Sequence, residues 1–126
     1  MQKIVLDTSV LLMPAQRKLD IFAECERLAE NRVFLITKAT LDELTSMAAK
    51  RDKSGIASRI ALELIEKNKV QVVDTTAKRA DDAMVELAKA DSRTAFASND
   101  SHLRRRIKDC NARVICLKGE SRMDWC

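Results

Sequence analysis

The 126 residues suffice for one domain with its own core, so neither a disulfide framework nor a structural metal is required. A hydrophobic content of 46% and a charged content of 33% exclude a disordered chain. A net charge of +4 permits an anionic partner, and no apolar run approaches the ~20 residues of a membrane span.

Only Phe22, Phe34, Phe96 and Trp125 are aromatic, which leaves little for base stacking; nucleic-acid binding would rest on backbone phosphates. Cys25, Cys110, Cys116 and Cys126 form no CxxC pair and have only His102 to join them, which argues against zinc. They are expected as reduced thiols. Met1 runs straight into the first apolar stretch, so no signal peptide is expected and the expected compartment is the cytoplasm.

In Lys3-Ile4-Val5-Leu6, the three apolar residues Ile4 to Leu6 run straight into Asp7, followed by Thr8 and Ser9. Such a run reads as a strand buried on both faces. A short helical turn is expected over Val10 to Met13, broken or restarted at Pro14. A helix is expected between Arg17 and Glu30, then a second strand over Arg32 to Ile36. Thr37 is placed to cap a helix over Ala39 to Lys50, with Asp42 and Glu43 in its first turns. Ser54 is expected to open a helix over Ile56 to Asn68, whose stripe includes Ile56, Ile60 and Leu64.

Val70 to Val73 reads as the third strand, and a helix over Ala77 to Ala90 carries Asp81 and Asp82 near its start. The fourth strand, Thr94 to Ala97, ends in Ser98-Asn99-Asp100. A basic helix with Ser101 as its cap follows to Asp109, then a fifth strand over Arg113 to Leu117. Alternating strands and helices predict a three-layer α/β/α fold around a parallel five-stranded sheet. One domain is expected over residues 1–118, with residues 119–126 as a tail.

The turn after the first strand has no glycine, which excludes a dinucleotide site or a phosphate-binding loop there. Carboxylates remain. With strand order 3-2-1-4-5, Asp7 and Asp100 end neighbouring strands at the switch point, where open α/β sheets bind ligands. Glu43 and the Asp81/Asp82 pair begin helices that reach the same rim in some geometries. Crowded carboxylates repel one another, and a divalent cation relieves that repulsion while suiting phosphodiester hydrolysis. Each acid also has an ordinary use, since carboxylates at helix N-termini favour the macrodipole.

Four motifs occur in order: Val5-Leu6-Asp7-Thr8-Ser9, Leu41-Asp42-Glu43-Leu44, Ala80-Asp81-Asp82-Ala83 and Ser98-Asn99-Asp100. In that order and spacing they resemble the PIN domain nucleases nearly end to end. The resemblance extends to the archaeal and eukaryotic branch that includes small-subunit rRNA-processing proteins, and to VapC-type toxins. Lys18-Leu19-Asp20-Ile21 and the basic helix after Asp100 add to it.

The resemblance implies a PIN-like fold and a Mg²⁺- or Mn²⁺-dependent endoribonuclease. It assigns catalysis and metal ligation to Asp7, Glu43, Asp81 and Asp100, prefers Asp81 while leaving Asp82 as a second candidate ligand, and has Thr8 and Ser9 orient Asp7. Many relatives carry Asn where this chain has Ser9. Arg104, Arg105, Arg106 and Lys108 are expected to contact RNA phosphates. The resemblance also implies an antitoxin or a ribosome-assembly partner, and pairing as a homodimer, with no membrane. The main rival reading is an RNA-binding PIN module with little turnover, acting as a ribosome-assembly scaffold. A phosphoacceptor receiver domain is ranked low because the first strand ends in a single Asp, and a small-molecule phosphatase is the third rival.

Overall fold

Ile4, Val5 and Leu6 are fully buried, and the strand that carries them, β1 (Gln2–Leu6), lies in the middle of the sheet in the computed structural model, which describes residues 1–126. Each such aliphatic side chain contributes about 1.5–3 kcal/mol on leaving water. After β1 come α1 (Thr8–Leu11), α2 (Met13–Arg17) and α3 (Ile21–Leu28). β2 (Arg32–Thr37) leads into the helix pair α4 (Lys38–Ala48) and α5 (Lys53–Lys67). β3 (Gln71–Val73), α6 (Ala80–Ala90), β4 (Ala95–Ala97), α7 (Ser101–Lys108), β5 (Arg113–Lys118) and β6 (Arg122–Trp125) complete the chain.

The sheet order is β3-β2-β1-β4-β5-β6. The first five strands are parallel in the expected order, and β1 pairs with β4 in register Leu6↔Ala97. Side chains alternate across this sheet. Ile4, Leu6 and Ile36 face one core, shared with α1 to α5, while Val5, Leu35 and Phe96 face a smaller core under α6 and α7. Both faces are covered, which is why the strands read as continuous apolar runs.

The expected tail is instead β6, antiparallel to β5 with Cys116 opposite Asp124. Its run Arg122-Met123-Asp124-Trp125 has only two apolar residues, a weak strand signal in isolation. Tertiary contacts supply the rest. Met123 is fully buried; its N–H donates to Glu24 and its carbonyl accepts from Arg27, both on α3. These bonds occupy backbone groups that a bare edge strand would offer to another chain. Arg113 lies over the Trp125 ring, 3.7 Å from its centroid. The hairpin also brings Cys116 and Cys126 together as a disulfide, so these two are not the reduced thiols expected; Cys25 and Cys110 are free.

Two expected caps move by one or two residues. Asp52, not Ser54, caps α5, accepting from Gly55 N at 2.9 Å, and Asp100, not Ser101, caps α7. A carboxylate is the stronger acceptor for helix N–H groups. Gly55 itself is obligatory, since a Cβ there would collide with the carbonyl oxygen of Lys50.

Candidate active site

Asp7 stands where β1 ends, only 4% exposed. Its backbone N–H donates to Ala97 O at 3.0 Å, continuing the ladder to β4. Two hydroxyls converge on one of its carboxylate oxygens: Ser9 Oγ donates to Oδ2 at 2.7 Å and Ser98 Oγ donates to the same atom at 2.8 Å. Burial pushes the Asp7 carboxyl above the usual carboxylate range; the Ser9, Ser98 and Thr8 N–H contacts pull it down, and the nearby Asp81 charge raises it.

The serines also tie the rim together. Ser9 Oγ accepts from Asn99 N at 3.0 Å, and Ser98 Oγ accepts from Asp100 N at 3.1 Å. Asn99 Oδ1 accepts from Leu117 N, which fixes the same turn to β5. Asp7 and Asp100 are thus linked through one hydroxyl, that of Ser98. The four-motif pattern contains Ser98, yet it singles out only the acid. The signal available in sequence was a hydroxyl at the end of the strand expected to neighbour β1.

Asp100 has two uses at once. Its Oδ1 accepts from His102 N at 2.9 Å and Leu103 N at 3.1 Å as the cap of α7, which leaves Oδ2 without a partner. Thr8 does not touch Asp7 through its side chain. Its hydroxyl is buried with no hydrogen-bond partner at all, an unusual state for a buried polar atom.

Glu43 and Asp81 come from helices. α4 starts directly at the end of β2, because Thr37 accepts from Thr40 N at 3.1 Å and turns the chain. That puts Asp42 and Glu43 in the second turn of α4, and they share a cleft of about 450 Å³ with Lys78, Arg79 and Asp81. Neither Glu43 nor Asp81 makes a side-chain hydrogen bond or ion pair with the protein, whereas Asp82 Oδ1 pairs with Arg106 Nη2 at 2.9 Å. The structure therefore separates the adjacent acids: Asp81 faces the cleft and bears on Asp7, and Asp82 turns to α7. Arg106 is engaged by the same pair, while Arg105 and Lys108 are exposed and Arg104 half-buried.

The buried Asp7 carboxylate and the Asp81 acid that bears on it are an all-oxygen donor pair. That chemistry fits a hard divalent cation. No three of these acids close on a common ligating point. Magnesium is commonly held by one or two carboxylates with water completing its shell, so the set fits that mode of binding.

The sheet order and the acids at its switch point define a PIN-like α/β domain. Residues 4–120 match the family described as PIN like domain, and the chain belongs to that family. It is 30% identical over 122 residues to Ribonuclease VapC4 of Methanocaldococcus jannaschii, covering 94% of this chain and 92% of the relative. Among solved structures it is similar to the PIN domain endonuclease Utp24, with a TM-score of 0.79 at 20% identity, covering 98% of this chain and 90% of the other. A domain of a functionally unknown protein from M. jannaschii matches with a TM-score of 0.66 at 16% identity, covering 94% and 93%. The structure of VapBC2 from Rickettsia felis bound to a promoter DNA fragment matches with 0.58 at 13%, covering 93% of this chain and 100% of the other. These three bear on the fold.

Proposed function

We propose that the protein is a metal-dependent endoribonuclease that hydrolyses RNA phosphodiester bonds at the rim around Asp7. One observation carries this reading: Asp7 is buried at the switch point, aimed by two serine hydroxyls, and under the field of Asp81, which lines the neighbouring cleft. Membership of a nuclease family and 30% identity over nearly the whole chain to a protein named as a ribonuclease support RNA as the substrate.

In this reading Asp7 and Asp81 hold a Mg²⁺ or Mn²⁺ ion, with Glu43 and Asp100 binding its waters or joining its shell. When bound, such an ion lowers the pKa of a coordinated water and neutralises charge on the phosphate. The protein's own contribution is orientation. Ser9 and Ser98 fix Oδ2 of Asp7 and leave Oδ1 to the ion. Asp100 holds the start of α7. Arg104, Arg105 and Lys108 are proposed to meet flanking phosphates, with Arg106 contributing only if it leaves Asp82.

The test is cleavage of single-stranded RNA with Mn²⁺ or Mg²⁺ by the wild type and by Asp7→Asn. Metal-dependent cleavage that the variant loses supports the reading; cleavage that survives the substitution refutes it. The rival is an RNA-binding module with little turnover. RNA binding without turnover in either metal would establish that rival. Two cellular settings follow from the same chemistry, ribosomal RNA processing and a VapC-type toxin. Growth arrest on expression, relieved by an antitoxin partner, selects the second.

A further inference from the structure

The acid-lined cleft has a cationic wall. Lys78 and Arg79 line it opposite Asp42 and Glu43, and both are exposed. Neither forms an ion pair or side-chain hydrogen bond with the protein, although carboxylates line the same cleft. Arg79 also occupies the N-cap of α6 without a side-chain cap bond. Ser, Thr, Asp or Asn stabilises that position, and a cation there opposes the helix dipole. Helix stability therefore does not account for the residue.

The loop bearing this pair is held rigidly. Glu86, two turns into α6, reaches back to accept from Thr76 N at 2.9 and 3.1 Å and from Ala77 N at 2.9 Å. Thr75 Oγ1 donates to Ala77 O at 3.0 Å. A carboxylate taking backbone N–H groups makes strong, charge-assisted bonds. Two free cations thus project from a clamped backbone beside acids that would otherwise repel a polyanion.

We propose that Lys78 and Arg79 grip a backbone phosphate of the RNA strand next to the one being cleaved, and that Glu86 is the positioning residue for them. This rests on the endoribonuclease reading, which supplies the substrate. Clamping lowers the conformational entropy that binding must remove, so it acts on substrate affinity more than on the chemical step.

The experiment compares wild type, Lys78→Gln/Arg79→Gln, Glu86→Ala and Glu86→Gln on a short single-stranded RNA of mixed sequence. Cleavage with Mn²⁺ gives KM and kcat, and binding across a salt series is measured in an Asp7→Asn background. Loss of two phosphate contacts should lower the salt slope of binding by about 1.4. KM of the double variant should rise about tenfold, well beyond any fall in kcat, as for lost uniform binding. Glu86→Ala should raise KM in the same direction, and Glu86→Gln, which keeps an acceptor oxygen, should recover most of the loss.

An unchanged KM and salt slope in the double variant overturns the proposal, whatever its melting temperature; the cations would then only offset the acids. A wild type that binds RNA without cleaving it, with a salt slope the double variant lowers, keeps the phosphate grip of Lys78 and Arg79 and removes the nuclease reading, and with it the place of that phosphate beside a cleaved one. A wild type that cleaves, with a double variant indistinguishable from it, does the reverse.

Discussion

The acidic rim has two unlike halves. Asp7 and Asp100 sit at the ends of β1 and β4, joined through Ser98 and held by hydroxyls and backbone N–H groups. Glu43 and Asp81 sit on helices, line the cleft and bond to nothing in the protein. The strand-borne half is fixed before any ligand arrives; the helix-borne half is free to adjust. The end of a central strand can hold a buried carboxylate at high cost in solvation, whereas a helix face offers one cheaply and loosely. On the proposed reading, Asp7 sets where the chemistry occurs and the helix acids complete the site when a cation draws them in.

Breaking the fixed half should have the largest effect. Asp7→Asn is expected to cut metal-dependent RNA cleavage by roughly a thousandfold, the several kcal/mol that a metal-held transition state is worth. Stability should move the other way. Burial raises the Asp7 carboxyl, so the folded protein binds that proton more tightly than the unfolded chain. The ionised group therefore costs stability at neutral pH. That cost is relieved as pH falls through the raised folded value towards the ordinary 3.8. Asn cannot ionise, so the variant should melt higher than wild type at neutral pH, with the gap closing in acid. Thermal melts across pH check this, and a gap that widens on acidification contradicts it.

The loose half is tested by the cation itself. Mn²⁺ or Mg²⁺ should raise the melting temperature of the wild type, by the equivalent of about 2.7 kcal/mol at a hundred times Kd. The rise should vanish in Asp7→Asn and shrink in Asp81→Asn. Equal stabilisation of all three proteins would place the ion elsewhere.

Ser98 sharpens the comparison, because it joins the two strand-borne acids. Ser98→Ala removes a donor to Asp7 Oδ2 and the acceptor for Asp100 N. Loss of a partner that orients a metal ligand typically costs 10–100-fold, so activity should fall by roughly that factor. Ser98→Thr, which keeps the hydroxyl, should restore much of it in the same assay.

The fixed half was the legible one. Apolar runs that stop on Asp7 and on Ser98-Asn99-Asp100 mark strand ends, and the parallel order makes them neighbours, so local pattern and topology sufficed. The role of Ser98 is not legible in the sequence, because a hydroxyl at a strand end has many uses. β6 is not legible in the sequence, since its strand character comes from burial of Met123 and from α3 side chains, neither visible in four residues. The Glu86 clamp joins positions ten residues apart through backbone groups, which leave no trace in residue type.

The smallest predicted effect concerns the adjacent acids that sequence spacing could not separate. Asp81 and Asp82 are consecutive on α6, so their side chains point about 100° apart around the helix. One faces the cleft and the other meets Arg106. Asp82→Asn breaks a partly exposed ion pair, which is worth about 0–1 kcal/mol, and should leave cleavage within a few-fold of wild type. It also frees Arg106 to join Arg104 and Arg105, so RNA binding should tighten slightly and its salt dependence steepen. Asp81→Asn, an equally small change one residue away, should lose most of the activity. Parity between the two variants would show that the cleft does not distinguish the acids, and the division between a fixed and an adjustable half of the rim would lose its helix-borne side.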